Sequence, residues 1–133
     1  MEAVIEAKTV PASNKMLWAG YIISALPFLM LLFSASAKFL KPEGMEANVI
    51  PLGWRMDQMT VLGVVELACV VLYLIPQTAV LGAILLTAYL GGATSTHLRI
   101  GDPFFIPIIV GILVWLGLYL RDGRIRELIP LRN

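Results

Sequence analysis

The chain has 133 residues, of which 59% are hydrophobic and 14% charged. Average soluble domains carry roughly a quarter charged residues, and a soluble core of this size cannot hide so much apolar surface, so the expected solvent is the lipid bilayer. Mean hydropathy is +0.84, and a net charge of +1 argues against a nucleic-acid partner. The single cysteine, Cys69, excludes an intrachain disulfide and a CxxC redox pair; in an apolar run it reads as a small hydrophobe.

Residues 1–15 show no clear periodicity and read as an N-terminal tail. The first apolar span covers about 16–39, with Trp18 and Tyr21 as an aromatic anchor and Pro27 as a kink. Ala35-Ser36-Ala37 resembles a signal-peptidase site. The run before it is long for a signal peptide and contains Pro27, and a retained span is expected. Residues 41–57 form the longest connection, broken by Pro42, Gly44, Pro51 and Gly53. Met45 to Ile50 is expected to make a short helix on the membrane surface, with Trp54 at headgroup depth.

The second span covers about 58–75 and stops at Pro76; the third covers about 78–97. Only Pro76 and Gln77 separate them, so they must be antiparallel neighbours. The fourth covers about 104–120, with Asp102 expected as N-cap, Pro103 at the first helical position and Arg121, Arg124 and Arg126 at the exit. Residues 16–133 thus read as one all-α domain, an integral membrane four-helix bundle. An even number of spans puts both termini on one side. The tails carry Lys8, Lys15, Arg121, Arg124, Arg126 and Arg132, against Lys38, Lys41, Arg55 and Arg99 opposite. This bias favours cytoplasmic termini and a multi-pass protein of the inner (plasma) membrane.

Helices in lipid associate through close backbone approach and polar contacts. The third span is rich in small residues, and Ala88, Gly92 and Thr96 recur every four residues, which marks it as central to the bundle. Gly82 is expected to serve helix packing as well. In the second span Gly63, Glu66, Val70 and Tyr73 share one face, where Gly63 would admit a neighbouring backbone near Glu66.

Glu66 is the most informative residue. It lies within the otherwise lipid-soluble run from Met59 to Ile75, where a carboxylate costs about 3 kcal/mol or more. Topology places Lys38 at the end of the first span and His97 at the end of the third, in the same half of the bilayer as Glu66. Arg99 and Asp102 are expected in the connection at the mouth. Glu66 either pairs with Lys38 or a nearby arginine and stays ionised, or stays protonated because desolvation raises its pKa. Lys38 can instead snorkel to the headgroups. His97 is a candidate proton shuttle or a hydrogen-bonded interfacial residue. Tyr89, eight residues before His97, projects the same way about 12 Å deeper, and with Tyr73 is expected to line a pocket around Glu66. One histidine and one carboxylate fall short of a metal's usual protein ligands. Ser34 and Ser36 precede Lys38, but no oxyanion site can be read beside them. An aromatic-lined, partly apolar pocket suits a small amphipathic ligand such as a quinone or a lipid fragment. The same groups would equally serve to lock the bundle without any ligand.

These residues resemble the DoxX-like family of small bacterial membrane proteins. The resemblance runs from about Leu17 to Pro130. It is carried by the alanine-and-serine end of the first span entering Lys38-Phe39, by Gly63-Val-Val-Glu66-Leu, by Leu74-Ile-Pro76, by the third span from Ala79 to His97, and by Leu120-Arg121-Asp122-Gly-Arg124. It implies a four-helix membrane protein. The wider superfamily includes a quinone-linked thiosulfate oxidoreductase subunit, a methylamine-utilisation protein and nicotinic-receptor assembly factors, so it fixes fold better than activity. The chain has no cysteine pair, haem ligand pair or flavin motif, and no cofactor is evident beyond a bound quinone.

The preferred reading is an accessory bundle that binds a small ligand, a membrane-protein partner or a second copy of itself. The alternative is an oxidoreductase subunit in which Glu66 and His97 move protons at a quinone-like substrate. A transporter is disfavoured, because the charges do not repeat along one helix face. No catalytic residue can be assigned, and whether the protein is an enzyme is left open.

Overall fold

The computed structural model describes residues 12–128. Most of the expected tail, with Lys8, lies outside that range, as do Pro130 and Arg132. The described residues form four long helices and two short ones: α1 (Asn14–Leu40), α2 (Glu46–Val49), α3 (Gln58–Leu74), α4 (Ala79–Arg99), α5 (Phe105–Arg121) and α6 (Gly123–Leu128). A 3-10 turn, Ile50–Leu52, continues α2.

Local chemistry sets the helix ends. Ser13 caps α1 by accepting the Met16 N–H, and Lys41 closes it in the left-handed conformation at φ 48°. Pro76 ends α3. Thr78 Oγ1 then donates to the Leu72 carbonyl at 2.8 Å, satisfying a group the helix end would leave unpaired. The α5 start differs from expectation. Gly101 turns the chain at φ 76°, Phe104 is the N-cap, and Asp102 makes no capping bond. α4 also runs on to Arg99, so Arg99 belongs to a helix end and not to the connection.

The long helices form a ring in which α1 and α4 each pack against α3 and α5. Leu31, Val70, Leu86, Val114 and Leu118 fill its centre. Outward faces stay apolar: Leu29, Phe33, Val61, Ile84 and Ile112 are all exposed. That pattern suits a protein dissolved in lipid, the all-α membrane bundle expected. Among the described residues, α1 and α4 are long and apolar enough to cross a membrane; α3 and α5, at 17 residues each, are shorter.

The third span, α4, is not the centre of the bundle. The most extensive packing is between α1 and α5. Glycines explain why. A Cβ on Gly117 would overlap Ser24 Oγ, and one on Gly20 would lie 3.0 Å from the Gly117 carbonyl. Gly82 performs the same service between α4 and α3, where a Cβ would overlap the Tyr73 backbone. Gly92 does not act this way, because an added Cβ there meets nothing within 4 Å. Ala88 is likewise exposed. The small-residue stripe Ala88, Gly92, Thr96 is therefore the wall of a cavity, not a helix contact.

Candidate functional site

The cavity has a volume of about 980 Å³ and occupies the end of the bundle where α2 lies. Its walls come from the last turns of α1, the α2 segment, the first turns of α3, the second half of α4 and the start of α5. Most of the lining is apolar, including Met30, Leu31, Phe33, Leu62, Ile106 and Val110. The expected surface helix is thus folded over the bundle end, with Val49 buried and Met45, Asn48 and Leu52 facing the cavity.

Glu66 lies in this wall and is only 1% exposed. Its Oε2 accepts three hydrogen bonds: from Lys38 Nζ at 2.8 Å, Tyr89 O–H at 3.2 Å and Ser34 O–H at 3.3 Å. Of the partners open to Glu66, Lys38 is the one it meets; Lys38 reaches inward instead of snorkelling. Gly63 is the cause. A Cβ there would lie 3.1 Å from the Phe39 ring and 3.2 Å from Lys38 Cβ, so the bare backbone lets α1 approach α3. Glu66, three residues further along the same face, then meets the lysine. Ser34 sits one turn before Lys38 and accepts from Nζ at 2.6 Å. It was not singled out as a ligand of the pair, although the i, i+4 spacing was the available signal.

The remaining expected site residues separate. His97 lines the cavity, its Nδ1 3.5 Å from Asp102 Oδ2, too poorly aligned for a hydrogen bond, so that buried nitrogen has no bonded partner. The Asp102 carboxylate thus faces His97 instead of capping α5. Arg99 does not line the cavity. It donates to the Leu52 carbonyl at 2.6 Å and packs on Gly53, whose φ of 88° and lack of Cβ make room for the guanidinium. Arg99 therefore pins the α2 segment to α4.

Tyr73 corrects the sequence reading. It shares a helix face with Glu66 but lies two turns further along α3, at the other end of the bundle. There it is 2% exposed and outside the cavity. Its O–H donates to the Val114 carbonyl at 2.8 Å, so Ser24 must donate to it across 3.1 Å. Arg121 lies over the rings of Tyr73 and Tyr21, at 4.9 and 5.7 Å. Among the described residues no group of histidine, cysteine and carboxylates could hold a metal.

The other polar pairs lie outside the helices that form the cavity. The Arg55 guanidinium holds the Asp57 carboxyl below its usual range, chiefly through their hydrogen bond, and Arg124 does the same to Asp122. Both arginines are mostly exposed. An apolar groove of about 520 Å³ lies between α4 and α5, bordered by Gly91, Gly111 and Trp115. The indole N–H of Trp115 donates to Thr87 Oγ1 at 2.7 Å.

No curated protein and no solved structure matches the chain. A family model described as the DoxX-like family matches residues 22–117, a stretch that includes Ser34, Lys38, Glu66, Tyr89 and His97. The match takes in most of the sequence, from within α1 to within α5, and the chain belongs to the DoxX-like family.

Proposed function

We propose that this protein is an accessory, ligand-binding membrane bundle whose working part is the cavity around Glu66. One observation carries the reading: an almost fully buried carboxylate, hydrogen-bonded to Lys38, lines a cavity of about 980 Å³. Ligand pockets typically run to about 1,000 Å³, mostly apolar with a few convergent polar groups, which describes this one. The cluster also ties α3 to α1 and α4, so packing accounts for its hydrogen bonds but not for the open volume beside it. Ala88, Gly92 and Thr96 keep the wall beside it low. The cavity floor is built by Lys38, Ser34, Glu66 and Tyr89, its rim by His97, and Arg99 holds its cover. The protein would act in the plasma membrane with all four long helices crossing and both termini cytoplasmic, alone, as a homo-oligomer or with a membrane partner.

A second reading, a quinone-handling oxidoreductase subunit, is favoured by Glu66 and His97 sharing one cavity. Against it, no hydrogen bond joins the two, and Glu66 Oε2 is taken up by Lys38, Tyr89 and Ser34.

The test is mass spectrometry of the detergent-purified protein and of its Glu66→Gln variant, with melting curves of both. The expected result is a small molecule retained stoichiometrically by the wild type and lost from a folded variant. Earlier melting of the variant, with no bound molecule in either form, would make the cluster a packing device.

A further inference from the structure

Counting donors and acceptors narrows the ligand, on the ground that the cavity is a binding pocket. The Lys38 ammonium has three protons, and three acceptors take them: Glu66 Oε2, Ser34 Oγ and, at 3.5 Å, the Ser34 carbonyl. The hydroxyl protons of Ser34 and Tyr89 also go to Glu66 Oε2. Every donor of the cluster is therefore used internally. Acceptor capacity is left over: Glu66 Oε1 receives no hydrogen bond from any described residue, and the Tyr89 oxygen retains its lone pairs. The other donor side chains of the lining, His97, Asn48 and Trp54, stand outside this cluster, with His97 about 12 Å along α4 from Tyr89 at the standard rise.

Charge adds a second constraint. Lys38 and Glu66 cancel at the cluster, and the remaining charge of the lining is the exposed Glu43, so an anionic head group would be repelled and a cationic one drawn to Glu43 instead of the cluster. The rest of the lining, Met30, Phe33, Leu62 and Val110 among it, suits a hydrocarbon tail.

We infer that the pocket selects neutral amphiphiles whose head carries a hydrogen-bond donor, a hydroxyl above all, which donates to Glu66 Oε1. Carbonyl-only or ether-only heads of the same size are discriminated against, because they would bring another acceptor to a carboxylate that needs a donor. Removing a partner of a charged, buried group is costly, which makes the discrimination measurable.

The experiment uses the full chain in detergent and three probes of matched size, namely 4-nonylphenol, its methyl ether 4-nonylanisole, and 4-nonylbenzoate, titrated by calorimetry. The phenol is expected to bind at least tenfold more tightly than either of the others. A folded Glu66→Gln variant, whose amide NH2 is itself a donor, should narrow the phenol-to-ether ratio to threefold or less. The wild-type comparison stands alone if that variant does not fold. Equal binding of phenol and ether would overturn the donor requirement while leaving a ligand pocket in place. Tighter binding of the benzoate would overturn the neutral head. Binding of none of the three would overturn the pocket reading and this inference with it.

Discussion

Two buried polar clusters stand at opposite ends of the bundle, and their surroundings differ. At one end Tyr73, Ser24 and the Val114 carbonyl join three helices, with Gly117 and Gly82 pressing the backbones together around them. At the other, Lys38, Ser34, Glu66 and Tyr89 also join three helices, but the glycine opposite, Gly92, touches nothing. Both clusters satisfy polar groups that would otherwise be costly in lipid. The second lines a cavity of about 980 Å³. Polarity alone does not separate the two ends of this bundle; how closely the helices meet beside it does.

The largest effect should come from filling space at the tight end. Gly82→Ala places a methyl against the Tyr73 backbone, which has no rotamer to give, and should destabilise by about 3 kcal/mol or prevent folding. Gly92→Ala, with nothing within 4 Å, should leave stability within about 0.5 kcal/mol or raise it through helix propensity. Thermal melting in detergent measures both. Similar losses at the two glycines would erase the distinction between a packed end and an open one.

Next in size is the charge pair. Lys38→Met leaves Glu66 without its counter-ion and should cost about 3 kcal/mol. The double change Lys38→Met with Glu66→Leu should recover most of that loss, since the pair's desolvation disappears with it. If the double variant melts no higher than the single one, the pair is a net stabiliser of the bundle and the open end is not maintained at a cost.

Much of the bundle is legible in the sequence. Four apolar runs and the two-residue link Pro76-Gln77 give the long helices and the antiparallel neighbours α3 and α4. Glu66 is conspicuous because insertion of a carboxylate is expensive, and i, i+3 spacing ties it to Gly63. Two things were not legible. Spacing says which residues share a face but not whether the facing helix touches them: Gly82 and Gly92 look alike in sequence, yet one meets backbone and the other a void. Helical periodicity also repeats along the axis, so Tyr73 and Glu66 share a face while serving opposite ends. Arg99 and Asp102 depended on the turn at Gly101, which extends α4 and leaves the acidic side chain beside His97.

The two tyrosines measure the same contrast more finely. Tyr73→Phe would leave Ser24 Oγ without its Tyr73 partner and strip the second bond from the helical Val114 carbonyl, at about 2 kcal/mol. Tyr89→Phe removes one of three donors to Glu66 Oε2, leaving Lys38 and Ser34 in place, so about 1 kcal/mol is expected. Melting of both variants checks the order, and a larger loss at Tyr89 would place the structural weight at the cavity end.

The smallest effect belongs to the exposed pair beyond α5, and it tests whether surface charge contributes at all. Asp122 is held below its ordinary value of 3.8, first by the hydrogen bond from Arg124. Because the folded pKa is the lower one, the stabilisation is complete above the unfolded value and is lost as pH falls through the folded value. Its window therefore lies below about pH 4. Arg124 is 67% exposed, so water screens the pair and its worth is roughly 0.5 kcal/mol or less. Asp122→Asn keeps an oxygen that can accept the Arg124 backbone N–H while removing the charge, so it isolates the electrostatic part. The two proteins should differ slightly in melting temperature at pH 7, and the difference should shrink steadily as the pH is lowered from 4. A difference that does not shrink on acidification would mean that packing against α6, and not charge, is what Asp122 provides.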